Sequence, residues 1–321
     1  MDADPGIAHG SNWEAAWKHV DARVAAQAPL VDLEACLAAT AAMAQAAPLE
    51  IVQTGAGWGA LENLRRRRAG ETPVAGPALP FDAATLGPEQ APWLSLVEEE
   101  TLPAVDPAGP PASFMNQEHW QRLLERAITM GRSDHWYAWL QLGVLHLGAR
   151  RFTEARKAWE TSLERTESKW AHRNLGRLAA HEQNTDDAVR HYRRAMEMDP
   201  ADLRVFIEFA EHLIVAGRPA LVLEAAGRPA SVHRRVGRVR LLEARAAVDT
   251  GRLELVPALI DEPCDLTDAR EGDAGPSGIW FDYHAKRLAR ETGRPFNEEL
   301  RQEVMRTIPP PPHLDYRMGD Y

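Results

Sequence analysis

Cysteine is almost missing: Cys36 and Cys264 are the two in 321 residues. Two thiols so far apart build neither a disulfide framework nor a zinc site, and they fit a reducing compartment. Lysine is nearly as scarce, at 4 residues against 33 arginines. With alanine abundant, that ratio reads as codon bias rather than as phosphate binding. A net charge of −10 lacks the basic field of a nucleic-acid binder, so no nucleic-acid partner is expected. Long apolar runs are missing too. No window approaches the roughly 18 apolar residues that span a bilayer, so no membrane partner is expected. Residues 1–20 carry Asp2, Asp4, Glu14 and Lys18 and no apolar stretch, unlike a secretory leader; a cytoplasmic location is expected. Sustained strand-like alternation is also absent. What remains is an ordinary globular mixture, 45% hydrophobic and 26% charged, which excludes whole-chain disorder. Its length allows two domains or one elongated array.

Four regions separate by composition. Residues 1–69 hold an N-terminal helical hairpin and a Gly-Trp-Gly turn. Trp13, Trp17, Val20 and Val24, then Leu33, Leu37 and Met43, recur at helical spacing, and Pro29 breaks the run. Residues 70–116 form a Pro-rich connecting segment with nine of the chain's 23 prolines, which forbids continuous helix. The same stretch carries Phe81, Leu86, Trp93, Leu94 and Leu96. A free linker rarely holds so many large apolar groups, so the segment is expected to drape over a helical surface and bury Trp93 and Leu94. Residues 117–262 return to helix, and residues 263–321 read as a polar loop, two helices and a tail.

The strongest signal is an internal repeat. Ala138-Trp139, Leu142-Gly143, Phe152, Ala155, Trp159 and Ser162 are echoed 33 residues on by Ala171-His172, Leu175-Gly176, Thr185, Ala188, Tyr192 and Ala195. Asp199-Pro200 closes the second unit. The set matches the tetratricopeptide (TPR) pattern, a helix–turn–helix unit of about 34 residues. The glycine and the later alanine sit where paired helices approach, and the aromatic at Trp159 or Tyr192 is expected to pack onto the next unit. A third unit follows from Leu203 with a second helix eroded by Pro219, Gly227 and Pro229, and a fourth from Arg238. Gln117–Met130 reads as a lone helix before the first unit. The expected fold is all-α: a TPR-like α-solenoid of helix–turn–helix repeats, with the N-terminal hairpin and the draped Pro-rich segment.

Chemical motifs fail on context. Ile51 to Ala60 imitates a dinucleotide fingerprint, but no second strand follows and the acidic partner would fall among prolines. The bland reading is a glycine turn feeding a short helix. Arg65-Arg66-Arg67-Arg68 is an isolated basic run, read as a solvated helix end favoured by the helix dipole. The acid-rich loop Asp261–Asp273 lacks the ligand spacing and glycine of a calcium loop. The twelve histidines form no His-Glu-x-x-His and no Cys/His cluster, and no Gly-x-Ser-x-Gly elbow exists. No catalytic residue, metal or cofactor is expected, and the chain carries no enzyme signature.

Several stretches together resemble the C-terminal half of a large bacterial family, the domain of unknown function 5107 with its following TPR region. They are Gly57-Trp58-Gly59-Ala60-Leu61-Glu62, Trp93-Leu94, His135-Trp136-Tyr137-Ala138-Trp139 with Leu142-Gly143, Trp280-Phe281-Asp282-Tyr283-His284-Ala285-Lys286-Arg287, and Pro310-Pro311-Pro312-His313-Leu314-Asp315-Tyr316-Arg317. The likeness runs from about residue 10 to the C-terminus. Such proteins carry a long β-rich N-terminal portion, similar to carbohydrate-processing sandwich folds, that has no counterpart here. Sugar chemistry housed in that portion does not carry over, and the resemblance implies a helical module.

Two functions compete. The first is a non-enzymatic TPR protein that binds a protein or peptide through a concave groove. The alternative is the helical accessory module of a carbohydrate-active enzyme whose β-sandwich part is separately encoded. The first helix of each pair lines the groove in TPR arrays, so the partner-binding candidates are Tyr137, Leu140, Val144, Trp170, Arg173, Asn174, Arg177, Arg204, Ile207 and Glu211. Some TPR proteins resemble one another in a Lys/Asn clamp for a terminal carboxylate. Asn174 stands at one clamp-like position, but Leu140 and Val144 stand where the first unit's Lys and Asn would be. The groove is therefore expected to be aromatic and cationic, with Arg173 and Arg177 meeting a carboxylate and Trp170 supplying apolar contact. A candidate pocket is Trp58, Glu62, His135, Trp136, Trp280, Tyr283 and His284; the bland reading of its aromatics is core.

Overall fold

The computed structural model describes residues 49–72, 81, 83–226, 236–261, 263 and 275–316. The hairpin expected over residues 11–47 lies outside them. Among the described residues there is no strand, and the fold is all-α. Two compact units divide the chain, residues 1–171 and 172–321. The first holds α1 (Leu49–Arg68), a 3-10 turn (Ala83–Thr85), α2 (Ala91–Glu98), α3 (Glu118–Thr129), α4 (Trp136–Gly148) and α5 (Phe152–Arg165). The next helix, α6 (Lys169–His181), starts in the first unit and runs into the second. The second unit continues with α7 (Thr185–Met198), α8 (Leu203–Val215), α9 (Pro219–Ala226) and α10 (Gly237–Asp249). The short α11 (Pro257–Ile260), α12 (Gly275–Thr292) and α13 (Glu298–Thr307) complete it.

Four helix ends set the period. Arg150, Gln183, Gly217 and Gly251 follow α4, α6, α8 and α10 with φ of 59°, 61°, 69° and 74°. Each closes its helix in the same way. The positive-φ N–H bonds the carbonyl three residues back, and the next N–H bonds the carbonyl five back. Thus Arg150 donates to Leu147 and Arg151 to His146, while Gly217 donates to Ile214 and Arg218 to Leu213. This is the Schellman closure, which satisfies orphan carbonyls and reverses the chain. The four positions are 33 or 34 residues apart, so the repeat is a backbone feature as well as a side-chain echo. The third pair's second helix, α9, begins at Pro219, and the fourth's second half is a 3-10 turn at Leu253–Leu255 followed by α11.

Close approach explains the small residues. In the α4–α5 pair, a Cβ on Gly143 would fall inside the indole of Trp159. That indole N–H donates to the Leu140 carbonyl at 3.1 Å. Trp159 therefore packs within its own pair. In the α6–α7 pair, Tyr192 lies against Gly176 with more room, and a Cβ there would sit 3.0 Å from the ring. Tyr192 also meets Phe209 of α8, with centroids 5.6 Å apart.

The Gly-Trp-Gly turn is not a turn: α1 runs straight through Gly57-Trp58-Gly59. The glycines are there because other chain lies on them. A Cβ on Gly57 would stand 2.7 Å from the Thr85 carbonyl oxygen, and one on Gly59 would meet the Phe81 ring. Within the Pro-rich segment α2 carries Pro92 in its first turn, where a missing N–H is harmless. Trp93 is fully buried and meets Trp120 of α3 edge-on at 5.8 Å, while Leu94 is half-buried.

Four outcomes follow for thermal denaturation. A residue other than glycine at positive φ costs roughly 1 kcal/mol. Arg150→Gly should therefore raise stability by about 1 kcal/mol, and Gly251→Ala should lower it by about the same. Gly143→Ala should destabilise by about 2 kcal/mol through overpacking against Trp159. Gly176→Ala should stay within about 1 kcal/mol of the parent, because better helix propensity offsets a milder contact.

Candidate interaction faces on the first helices of the repeats

In the first unit, α4 begins at His135, whose ring accepts the Ala138 N–H on Nδ1. That leaves Nε2–H to donate to the Leu102 carbonyl at 2.8 Å. Trp136 Nε1 donates to the Val105 carbonyl at 3.1 Å, and Trp170 Nε1 donates to the Gly109 carbonyl at 2.8 Å. Gln141 donates to the Ser113 carbonyl and to the Tyr137 hydroxyl. Tyr137 has no exposed surface, and burial pushes its hydroxyl pKa up to about 12, with the Gln141 hydrogen bond and the Ala112 backbone opposing. Tyr137 and Leu140 are therefore packed residues rather than lining of an open groove; Val144 is half-buried. The ring of Trp170 carries the Lys169 ammonium 4.4 Å from its centroid.

The second unit's first helices carry charge. Arg173 grips Glu208 of α8 through Nε, at 2.9 Å, and through Nη2. The expected carboxylate for Arg173 is thus supplied by the chain itself. Arg177 reaches the same carboxylate only at 3.6 Å, and its side chain stays 65% exposed. Asn174 is half-buried beside them and Arg204 is exposed. Ile207 packs partly into the core, and Glu211 pairs with Arg238 of α10 at 2.8 Å. Further along, Arg245 of α10 and Arg301 of α13 share Asp282 of α12 at 2.8 and 2.7 Å. Burial first, with Glu208 adding, pushes the Tyr192 hydroxyl pKa upward. Glu208 and Gln141 were not singled out in the sequence, and Arg238 was named only as the start of the fourth unit. Glu208 lies about one repeat after Arg173, so pairing charges one period apart would have found it.

The seven candidate pocket residues fall in both units. In the first, Trp58 is half-buried, and Glu62 accepts from Arg65 and Arg66 at 2.8 and 2.9 Å. Burial opposes the Glu62 charge, but those two arginines outweigh it and hold its carboxyl below the ordinary value. Arg65 is only 4% exposed and also binds Glu71, so the basic run is not simply a solvated helix end. A cleft of about 570 Å³ opens beside it, lined by Arg68, Arg122, Arg126 and Arg132 and balanced by Glu99 and Glu100. In the second unit, Trp280 donates to the Ile308 carbonyl at 3.3 Å and its ring meets His284 at a tilt of 56°, with centroids 4.2 Å apart. Tyr283 is buried with them.

Among the described residues no helix is long and apolar enough to cross a membrane, and no group of three or more His, Cys, Asp or Glu is placed to hold a metal. Compared with known proteins, the tetratricopeptide repeat family matches the chain over residues 117–168 and 140–202. The chain therefore contains a tetratricopeptide-repeat region, a helical repeat module of the protein-interaction type. No curated protein matches it.

His284 gives this region a pH dependence. Both ring nitrogens are buried without partners. Burial, with Arg287 adding, lowers its pKa, while Asp261 and Glu291 oppose. A folded-state pKa below the unfolded value of roughly 6.5 means that the unfolded chain binds the proton more readily. Stability is then full above that pH and falls as pH drops below it. His284→Phe should flatten this loss in melting curves taken from pH 7.5 to 5. His212, also lowered by burial, adds to the slope that remains in this unit.

Proposed function

We infer that the chain acts by binding a partner protein rather than by turnover, and that the partner is read by the first-helix face of the second unit. The observation that carries this is the division of labour at Glu208. Arg173 uses its planar fork on that carboxylate and fixes it, while Arg177 stands beside it largely in solvent. Guanidinium groups have five donors, so Arg177 keeps most of its capacity for a second carboxylate. Arg204, exposed on α8, adds a second cation, and Asn174, between Arg173 and Arg177 in sequence, adds a neutral amide. The partner chemistry is an acidic segment, and Tyr137, Leu140, Val144 and Trp170 do not take part in this face.

Affinity capture followed by direct titration of the recovered partner tests this. Arg177→Ala with Arg204→Ala should lower affinity by at least about tenfold, on the scale of lost charge-assisted bonds. Binding should also weaken with added salt. Helix content and melting temperature should stay unchanged, because both side chains are exposed. Full retention of the partner by a folded double variant refutes the reading.

A further inference from the structure

The stretch between α2 and α3, residues 99–117, holds Pro103, Pro107, Pro110 and Pro111. From Pro103 to Pro110 its residues alternate between half-buried and exposed, as an extended chain lying on a surface does. An Asx turn at Asp106–Gly109 bends it once. What holds it is unusual in kind. His135, Trp136, Trp170 and Gln141, from α4 and the start of α6, all donate to its backbone carbonyls, and Trp93 of α2 shares the Ser113 carbonyl at 3.0 Å. Between Leu102 and Met115, which are buried anchors, no side chain of the segment is fully buried. Aromatic rings that offer N–H groups to the carbonyls of a proline-stiffened chain form the physical basis of proline-rich peptide recognition.

The fit is incomplete. Gln141 Oε1 is buried with no partner, although the Gln141 amide faces this segment. A buried acceptor left unpaired costs stability.

We propose that the face of α4 and the start of α6 is a binding site for proline-rich peptide backbone, filled in cis by residues 102–113 and taken by a proline-rich segment of a partner protein through exchange. The two buried anchors let the middle of the segment lift while its ends stay fixed. A tethered occupant competes at an effective concentration on the order of 1 mM, so it masks the site in the resting chain. This site belongs to the first unit and does not depend on Arg177 or Arg204.

The test uses the full chain and a labelled peptide of residues 101–115 as probe. Pro107→Gly with Pro110→Gly and Pro111→Gly loosens the tethered occupant and leaves both anchors in place. The loosened variant should bind the probe at least about tenfold more tightly than the parent does. Trp136→Phe and Trp170→Phe, added to it, should remove that gain, and Arg177→Ala with Arg204→Ala should not. Equal probe affinity for the loosened and parent chains overturns the proposal, as does equal binding of a probe whose four prolines are glycine. Self-association of the loosened variant that the probe dissolves assigns the face to a second copy and overturns the partner reading. A second measurement guards against misfolding. In the parent chain, amide exchange over residues 104–113 should be faster than in α4 and independent of denaturant at low concentration. Exchange that occurs only with global unfolding overturns the proposal.

Discussion

The repeats turn on one residue each, held at positive φ behind the first helix. Arg150, Gln183, Gly217 and Gly251 do this with the same pair of backbone bonds. The reversal brings the second helix back onto the first and allows Trp159 to lie over Gly143 and Tyr192 over Gly176. It also sets which side of each first helix stays outside its own pair. The chain gives glycine to the last two positions and asks Arg150 and Gln183 to bear the strain in the first two, a cost of roughly 1 kcal/mol each. The packing of the aromatic into the glycine notch holds those two residues where they are.

The two units spend their first-helix surfaces on different chemistry. In the first, ring and amide donors read backbone carbonyls of the chain's own Pro-rich segment. Carbonyl recognition ignores side-chain identity, so its selectivity comes from the stiffness of the ligand. In the second, guanidinium and carboxylate groups from successive helices pair across α6–α8, α8–α10 and α10–α12–α13. Most of these pairs are partly exposed, so each contributes little to stability by itself. Their effect is to hold charged groups at set positions, with Arg177 left facing solvent.

Much of the fold was legible in the sequence, because helix pairs with a fixed period must repeat their small and aromatic positions. Leu142-Gly143 and Leu175-Gly176 with Trp159 and Tyr192 marked the helix pairs correctly, whereas Pro219, read as eroding a second helix, stands at the first position of one. Gly57-Trp58-Gly59 misled because glycine serves two purposes, turning a chain and making room for another. Nothing local separates them; Thr85 and Phe81, which press on that helix, are more than twenty residues away.

The sequence by itself determined the all-α class, the period of the repeat and the draping of an apolar, proline-rich stretch, since each follows from spacing and from what proline forbids. Tertiary structure alone decided which side chains remain available. Tyr137, Trp170 and Arg173 look like free groove residues by register, yet the chain brings Ala112, Gly109 and Glu208 to them. Register on one helix sets the direction of a side chain, whereas occupancy depends on segments tens of residues away whose approach is fixed only when the helices pack.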